Sequence, residues 1–300
     1  MSVSIRARLV EKVVWQMRAR ADRVRDDLDR LRKDFEVLGR FQPRAAGVRI
    51  SHRTINGVPV EVLTPKVLNP GRALIYLHGG GYVIGSPTTH RAFTTTLAKA
   101  LAAEVWVPDY RLAPEHPFPA AQEDVLSVWE AFVEEHPKAV RLMAGESAGG
   151  GLSLATCINA RDKGLPLPHG VYMVSPWLDV TMTAGSCAAR DKTDALLGHD
   201  FTDKVFASNY CPDDQRSDPG VSPLFGNLEG LPPMLVQVGD NEILLDDSLA
   251  FAKRAQAAGV VVDLERAPGM WHAWVLFAML VPEARTSLRS ALRWMRSIRA

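Results

Sequence analysis

The chain has 300 residues, of which 47% are hydrophobic and 23% charged, and its net charge is +1. These figures fit a globular protein with a substantial core, built as one large domain or two modest ones. They exclude an overall basic footprint for nucleic acid, and the eight histidines show no metal-ligand spacing such as H-E-x-x-H, so neither a nucleic-acid partner nor a metal is expected.

The amino terminus carries charges inside its apolar stretch and no small-residue cleavage site, unlike a signal peptide. The first 40 residues read as helix. Ile5, Leu9, Val13 and Met17 recur every four residues, and Leu28, Leu31, Phe35 and Leu38 every three or four, as on one helix face. The charges between them alternate in sign, as on a solvated face. A basic membrane-surface helix is the sharper alternative, and the interspersed aspartates count against it. "FQPRAAG" breaks the pattern, and "VRISHRTI" and "VPVEVL" then read as two strands of a hairpin joined by Asn56-Gly57.

Strands and helices alternate from there. Arg72 to Leu77 is a buried strand ending in glycines, "HRAFTTTLAKAL" a helix and "EVWVPDY" a strand. "AAQEDVLSVWEAFVEEH" is a helix with Val125, Val128, Trp129 and Phe132 on one face. Ala139 to Gly145 is a strand, "AGGGLSLATCINARDKG" a helix of small residues and "VYMVSP" a strand. Between Leu178 and Leu231 no strand pattern appears, so this stretch is an excursion from the sheet. Pro233 to Gly239 resumes as a strand, followed by the helix "SLAFAKRAQAAG", the strand "VVVDLERAPG" and a last helix with Leu288, Leu292, Met295 and Ile298 on one face. This order implies an α/β protein with a mostly parallel sheet covered on both faces. The longest nearly uncharged apolar run, Trp271 to Val281, is shorter than the roughly 20 residues that span a bilayer. Cys157, Cys187 and Cys211 are odd in number and widely spaced; they read as buried hydrophobes in a reducing compartment. A cytoplasmic protein without stable membrane insertion is the expectation.

Chemistry concentrates in three segments. "GESAGG", Gly145 to Gly150, matches G-x-S-x-G between a predicted strand and a predicted helix. A sharp turn there raises the Ser147 hydroxyl above the sheet, which requires tiny neighbours at Gly145 and Gly149. The amide of Ala148, at the helix start, then faces any anion formed beside the serine. "HGGGYVIGS", from His78, bares backbone amides after a strand. It lacks the lysine of a P-loop, so a developing oxyanion suits Gly80 and Gly81, with Gly79 as a further donor, and His78 reads as a hydrogen-bonding brace for the loop. A serine hydroxyl needs a base, and that base an orienter. His272, in the loop after the last strand pattern, is the base; His116 and His136 lie beside prolines at helix ends and His52 in the early strands. The orienting acid belongs after a strand between serine and histidine, where "GDNEILLDDS" offers Asp240, Glu242, Asp246 and Asp247. Helix capping and the helix dipole account for Asp246 and Asp247; Asp240 remains a reserve.

These segments, with "DYRLAPEHPFPAAQED" at 109–124 and "SPWLD" at 175–179, resemble the hormone-sensitive-lipase-like (bacterial family IV) esterases of the α/β-hydrolase superfamily. The blocks run in that family's order over residues 72 to 275. The resemblance implies an α/β-hydrolase fold with a mostly parallel eight-stranded sheet and a helical cap. The cap would come from residues 1–45 and 179–228, and the hydrolase core from 46–178 and 229–300. It implies cofactor-free hydrolysis of short- to medium-chain acyl esters, a small-molecule substrate. In the family pattern D-x-L-x-D the first acid joins the triad; that position here is Glu242, with Leu244 and Asp246 in register. Glu146 likewise stands where Asp is commoner, in a supporting role. Tyr82, Trp177 and Leu178, adjacent to the motifs, are expected to line the pocket. No exposed apolar lid is evident, which argues against large triglycerides. An amidase, lactonase or carbamate hydrolase would use the same triad, and a non-catalytic small-ligand receptor is the alternative from another class. A homodimer docking along the last strand and C-terminal helix is a further option.

Overall fold

In the computed structural model, which describes residues 3–300, Asn56 and Gly57 adopt φ of 49° and 86°, as a two-residue hairpin turn of the primed kind requires. They join β1 (Val48–Ile55) to β2 (Val58–Pro65) in antiparallel register. β3 (Arg72–Leu77), β4 (Glu104–Pro108), β5 (Val140–Glu146), β6 (Gly170–Val174), β7 (Met234–Gly239) and β8 (Val262–Ala267) complete one eight-stranded sheet. The order is β1-β2-β4-β3-β5-β6-β7-β8, and every neighbour pair from β4 to β8 is parallel.

Two helices, α1 (Ile5–Arg23) and α2 (Leu28–Phe41), precede the sheet, and α3 (Pro87–Leu101), α4 (Ala120–Glu135) and α5 (Ala148–Asp162) alternate with its strands. The excursion after β6 is broken into α6 (Gly185–Ala189), α7 (His199–Phe201), a π turn at Thr202–Ala207 and α8 (Ser208–Tyr210). α9 (Leu245–Ala257) follows β7 and α10 (Pro282–Ser297) closes the chain. The period-two alternation of a strand sorts side chains between two cores. Ala73, Ile75 and Leu77 of β3 point into the core beneath α4, α5 and α9, and Leu74 and Tyr76 into the core beneath α3, α10 and α1. A strand buried on both faces is the reason "RALIYL" reads as a continuous apolar run. The three cysteines are buried free thiols, and no helix among the described residues is long and apolar enough to cross a membrane.

The face of α1 departs from expectation. Ile5, Leu9 and Val13 are 78%, 58% and 56% exposed, and Ala7 and Val14 are the residues that turn inward. Polar anchors decide the rotation. Ser4 caps the helix and holds Glu283 of α10 through both its amide and its hydroxyl. Arg18, on the same side as Ala7 and Val14, donates to the carbonyls of Asp191, Asp194 and Leu197 and to the Asp191 carboxylate. On α2 the stripe does face inward at Leu31, with Leu28 and Phe35 packed beside it, but Leu38 is exposed.

Candidate active site

β3, β5, β6, β7 and β8 lie side by side and parallel, so the segments leaving their carboxyl ends converge on one edge, where open α/β sheets place their ligands. Those segments carry His78 to Gly81, Ser147, Ser175, Glu242 and His272.

Ser147 sits between β5 and α5 with φ 54° and ψ −125°, a strained setting for a residue with a Cβ. The turn is held from three sides: the Ser147 amide donates to Val174, and its carbonyl accepts from the amides of Gly151 and Trp177. A Cβ on Gly145 would strike the Gly149 carbonyl, and one on Gly149 the Leu77 carbonyl, so the two glycines are steric necessities. The Ser147 side chain makes no capping bond to α5.

The loop after β3 is braced from below. His78 is fully buried, stacks on Tyr110 at 4.2 Å and shares its Nδ1 with the Gly79 carbonyl. Burial pushes its pKa down to about 3, so it is a neutral brace. The Gly79 amide donates to Glu146 Oε1 and is therefore committed to structure, contrary to its expected place beside Gly80 and Gly81. Gly80 and Gly81 have φ of 117° and 62°, and a Cβ on Gly81 would enter the ring of Phe206. Glu146 also accepts from the Tyr76 hydroxyl at 2.6 Å and pairs with His90 Nε2 at 2.8 Å. Burial would raise its pKa, but the charge and hydrogen bond of His90 prevail and hold it below the usual carboxylate range. This buried ion pair fixes the floor of the glycine loop. His90 and Tyr76 were hidden in sequence because they fall inside an ordinary helix and strand.

His272 Nδ1 meets Glu242 Oε2 at 3.0 Å, both side chains being at most 4% exposed. The other carboxylate oxygen, Oε1, accepts from the Gly239 amide and from the Ser175 hydroxyl. Ser175 in turn accepts from the amide of Ala273, next to the histidine. Burial disfavours the imidazolium of His272, but the hydrogen bond and charge of Glu242 outweigh it, and the pKa lies above the ordinary histidine value. A further residue that sequence reasoning missed is Asp194. It is fully buried in the excursion and accepts from the amides of His272, at 3.2 Å, and Ile243, at 3.1 Å. One carboxylate of the excursion thus grips the loops that carry both His272 and Glu242, and Arg18 of α1 binds its carbonyl. An isolated aspartate in a strandless segment offers no spacing by which to find it.

The other acids of "GDNEILLDDS" do different work. Asp240 faces outward and pairs with Arg266 at 2.8 Å. Asp246 and Asp247 do lie in the first turn of α9, but the cap position is Leu244 and makes no side-chain hydrogen bond. Their carboxylates instead reach across to other segments: Asp246 accepts from the Ser186 amide at 2.8 Å, and Asp247 from the amides of Leu178 and Asp179, both at 2.9 Å. Burial pushes Asp247 up to about 8, against the pull of those two amides, so its neutral form is favoured far more than in an exposed aspartate. Asp247→Asn is accordingly expected to fold with little loss, whereas Asp247→Ala leaves two buried amides unpaired and should cost about 2–4 kcal/mol in urea unfolding. Equal stability of the two variants would refute the role.

Above Ser147 lies a cleft that is open at its mouth. Arg18, Gly79, Gly80, Glu146, Ser147, His90 and His272 form its polar part. Met17, Ala21, Leu31 and Phe35 from α1 and α2, and Leu196, Leu197, Phe201 and Phe206 from the excursion, form apolar walls. Tyr82, Trp177 and Leu178 are not on these walls. Each is at most 2% exposed; Tyr82 stacks on Tyr210 at 3.9 Å and Trp177 packs behind it. Adjacency to a motif along the chain placed them near the site, but their side chains point into the core under the loop.

Residues 74–276 match a family described as alpha/beta hydrolase fold. An esterase of Acinetobacter venetianus is 38% identical over 261 residues, covering 86% of this chain and 85% of that protein. An acetyl-hydrolase of Streptomyces hygroscopicus is 39% identical over 271 residues, covering 90% and 87%. Among solved structures, a hormone-sensitive lipase from a metagenome library matches with a TM-score of 0.92 and 35% identity over 100% of both chains. With the sheet order, the serine turn and the glycine loop already in place, these likenesses extend over the whole fold: the chain belongs to the α/β-hydrolase fold family, among its hormone-sensitive-lipase-like esterases.

Proposed function

We propose that the protein is a serine carboxylesterase acting on short- to medium-chain acyl esters through Ser147, His272 and Glu242, without a cofactor. The observation that carries this reading is the buried 3.0 Å bond from His272 Nδ1 to Glu242 Oε2, with Ser147 and His272 on the wall of one apolar cleft. Ser147 Oγ attacks the ester carbonyl while His272 Nε2 takes its proton. Glu242 accepts the Nδ1–H, fixes the tautomer and stabilises the imidazolium. The oxyanion is met by the amides of Gly80, Gly81 and Ala148, the last being the first amide of α5 and free of any intrahelical partner by position. Collapse of the tetrahedral intermediate breaks the carbonyl–alkoxide bond, and His272 returns its proton to the leaving alcohol. Water, deprotonated by the same imidazole, then releases the acid and restores Ser147. The acyl chain would lie against Leu31, Phe35, Phe201 and Phe206, where only apolar contacts are on offer. The acetyl-hydrolase relative supports small acyl groups.

A series of p-nitrophenyl esters from acetate to dodecanoate tests the substrate class: kcat/KM should be highest for the short and middle members and fall at the long end. The same protein treated with a fluorophosphonate should carry one adduct, on Ser147. A folded protein that takes no adduct would turn the reading toward a non-catalytic receptor, and faster turnover of the matching anilides than of the esters toward an amidase.

A further inference from the structure

We propose that the outer face of α1 docks the protein on an anionic lipid surface, beside the mouth of the cleft. Three exposed aliphatic side chains in a row, Ile5, Leu9 and Val13, stand at one-turn intervals, each more than half exposed among the described residues. The stripe is about 12 Å long from Ile5 to Val13. Its next member, Met17, is already part of the cleft wall, so the apolar surface runs continuously from solvent into the site. Met279 and Leu280, 56% and 58% exposed, lie just before α10, whose Glu283 is bonded to Ser4 at the start of α1.

Charge identifies the occupant. Leu9 has Arg6 three residues before it and Lys12 three residues after, and Ile5 has Arg8 three residues after, so basic side chains flank the stripe on both sides. Arg6, Arg8 and Lys12 are all exposed. Among the described residues of α1, the carboxylates are Glu11, half-buried, and Asp22, at the far end. The aspartates that count against a membrane-surface helix in the sequence therefore fall at or beyond the end of α1. An exposed apolar stripe between rows of Lys and Arg is the pattern of a helix that lies in the plane of an anionic interface, its aliphatic face in the acyl boundary and its cations at the headgroups. A second copy of the chain fits the same face poorly. A two-fold contact of α1 with its own copy would bring Arg6, Arg8 and Lys12 together with no carboxylate of α1 on that side of the helix to pair them.

Co-sedimentation with vesicles tests this without reference to turnover, so its outcome is separable from that of the esterase reading. The intact protein should pellet with vesicles of phosphatidylcholine containing about one part in three of phosphatidylglycerol, and remain in solution with phosphatidylcholine alone. Ile5→Ser/Leu9→Ser/Val13→Ser should lower the partition coefficient by about tenfold or more. Arg6→Gln/Arg8→Gln/Lys12→Gln should lower it by about fivefold for each charge removed. Both variants should hydrolyse dissolved p-nitrophenyl butyrate at the parental rate, which shows that they fold. The proposal is overturned if the parent does not pellet with the anionic vesicles, or if the serine variant pellets as the parent does. It is also overturned if the parent is a dimer in solution that the serine variant converts to monomers, since the stripe would then belong to a second copy.

Discussion

Ser147→Ala should lower kcat for p-nitrophenyl butyrate by about 10⁴-fold or more while leaving KM within a few-fold. The size follows from where the nucleophile stands. The backbone around Ser147 is bonded by Val174, Gly151 and Trp177 irrespective of its side chain, and no capping bond is lost when the hydroxyl goes. Alanine tolerates the left-handed φ of 54° no worse than serine, so the fold, the glycine loop and the apolar cleft persist and substrate still binds. What disappears is the covalent route alone. The residual rate would come from binding and oxyanion stabilisation of attack by water. Unchanged thermal unfolding beside the collapsed kcat would separate chemistry from folding. Retention of more than about a tenth of the parental kcat would mean that the nucleophile is another group.

How legible such a site is in the sequence depends on whether a residue's role is enforced by its neighbours along the chain or by distant ones. Ser147 is enforced locally: Gly145 and Gly149 have no alternative, because any Cβ would meet a backbone carbonyl, and the pattern G-x-S-x-G is the trace of that steric demand. The strands were legible for a similar reason, since burial on both faces demands near-continuous apolar runs, as in β3 and, around the buried Gln237, in β7. Roles set by distant partners left no trace. Gly79 looks like Gly80 in sequence, and only the carboxylate of Glu146, 67 residues away, sets its amide apart from those proposed to meet the oxyanion. Asp246 and Asp247 sit where helix caps belong, yet their partners are in the excursion and the loop after β6. Tyr82 and Trp177 flank the motifs in the chain but stack beneath them in space. The α1 stripe has a flawless helical period, and the periodicity is silent on which way the face turns; Arg18 and Ser4 decide that through bonds to residues 191–197 and 283.

Glu242→Gln should cost about 10³–10⁴-fold in kcat, although the two side chains have the same shape. The reason lies in the oxygen that does not touch the histidine. Oε1 of Glu242 accepts from the Gly239 amide and the Ser175 hydroxyl, two donors that a glutamine must satisfy with its carbonyl oxygen. Its NH₂ group is then turned toward His272 Nδ1, where Oε2 had been an acceptor. A donor facing Nδ1 forces that nitrogen to accept and places the ring proton on Nε2, the atom that must receive the proton of Ser147. The base is present and correctly positioned, but in the wrong tautomer. The pH profile supplies a second signature. In the parent, Glu242 outweighs burial and raises the pKa of His272. Activity requires the neutral imidazole, so kcat/KM rises with pH through that raised pKa. Without the carboxylate charge, burial acts unopposed by its strongest partner, the pKa falls, and the acid limb of the residual activity should move to lower pH. Asp240→Asn, which removes only an outward-facing partner of Arg266, should stay within about twofold of the parent and keep its acid limb in place. Should Asp240→Asn instead collapse kcat and shift the limb while Glu242→Gln does neither, the orienting acid would be Asp240, two residues earlier in the loop, and the buried Glu242–His272 pair would be structural.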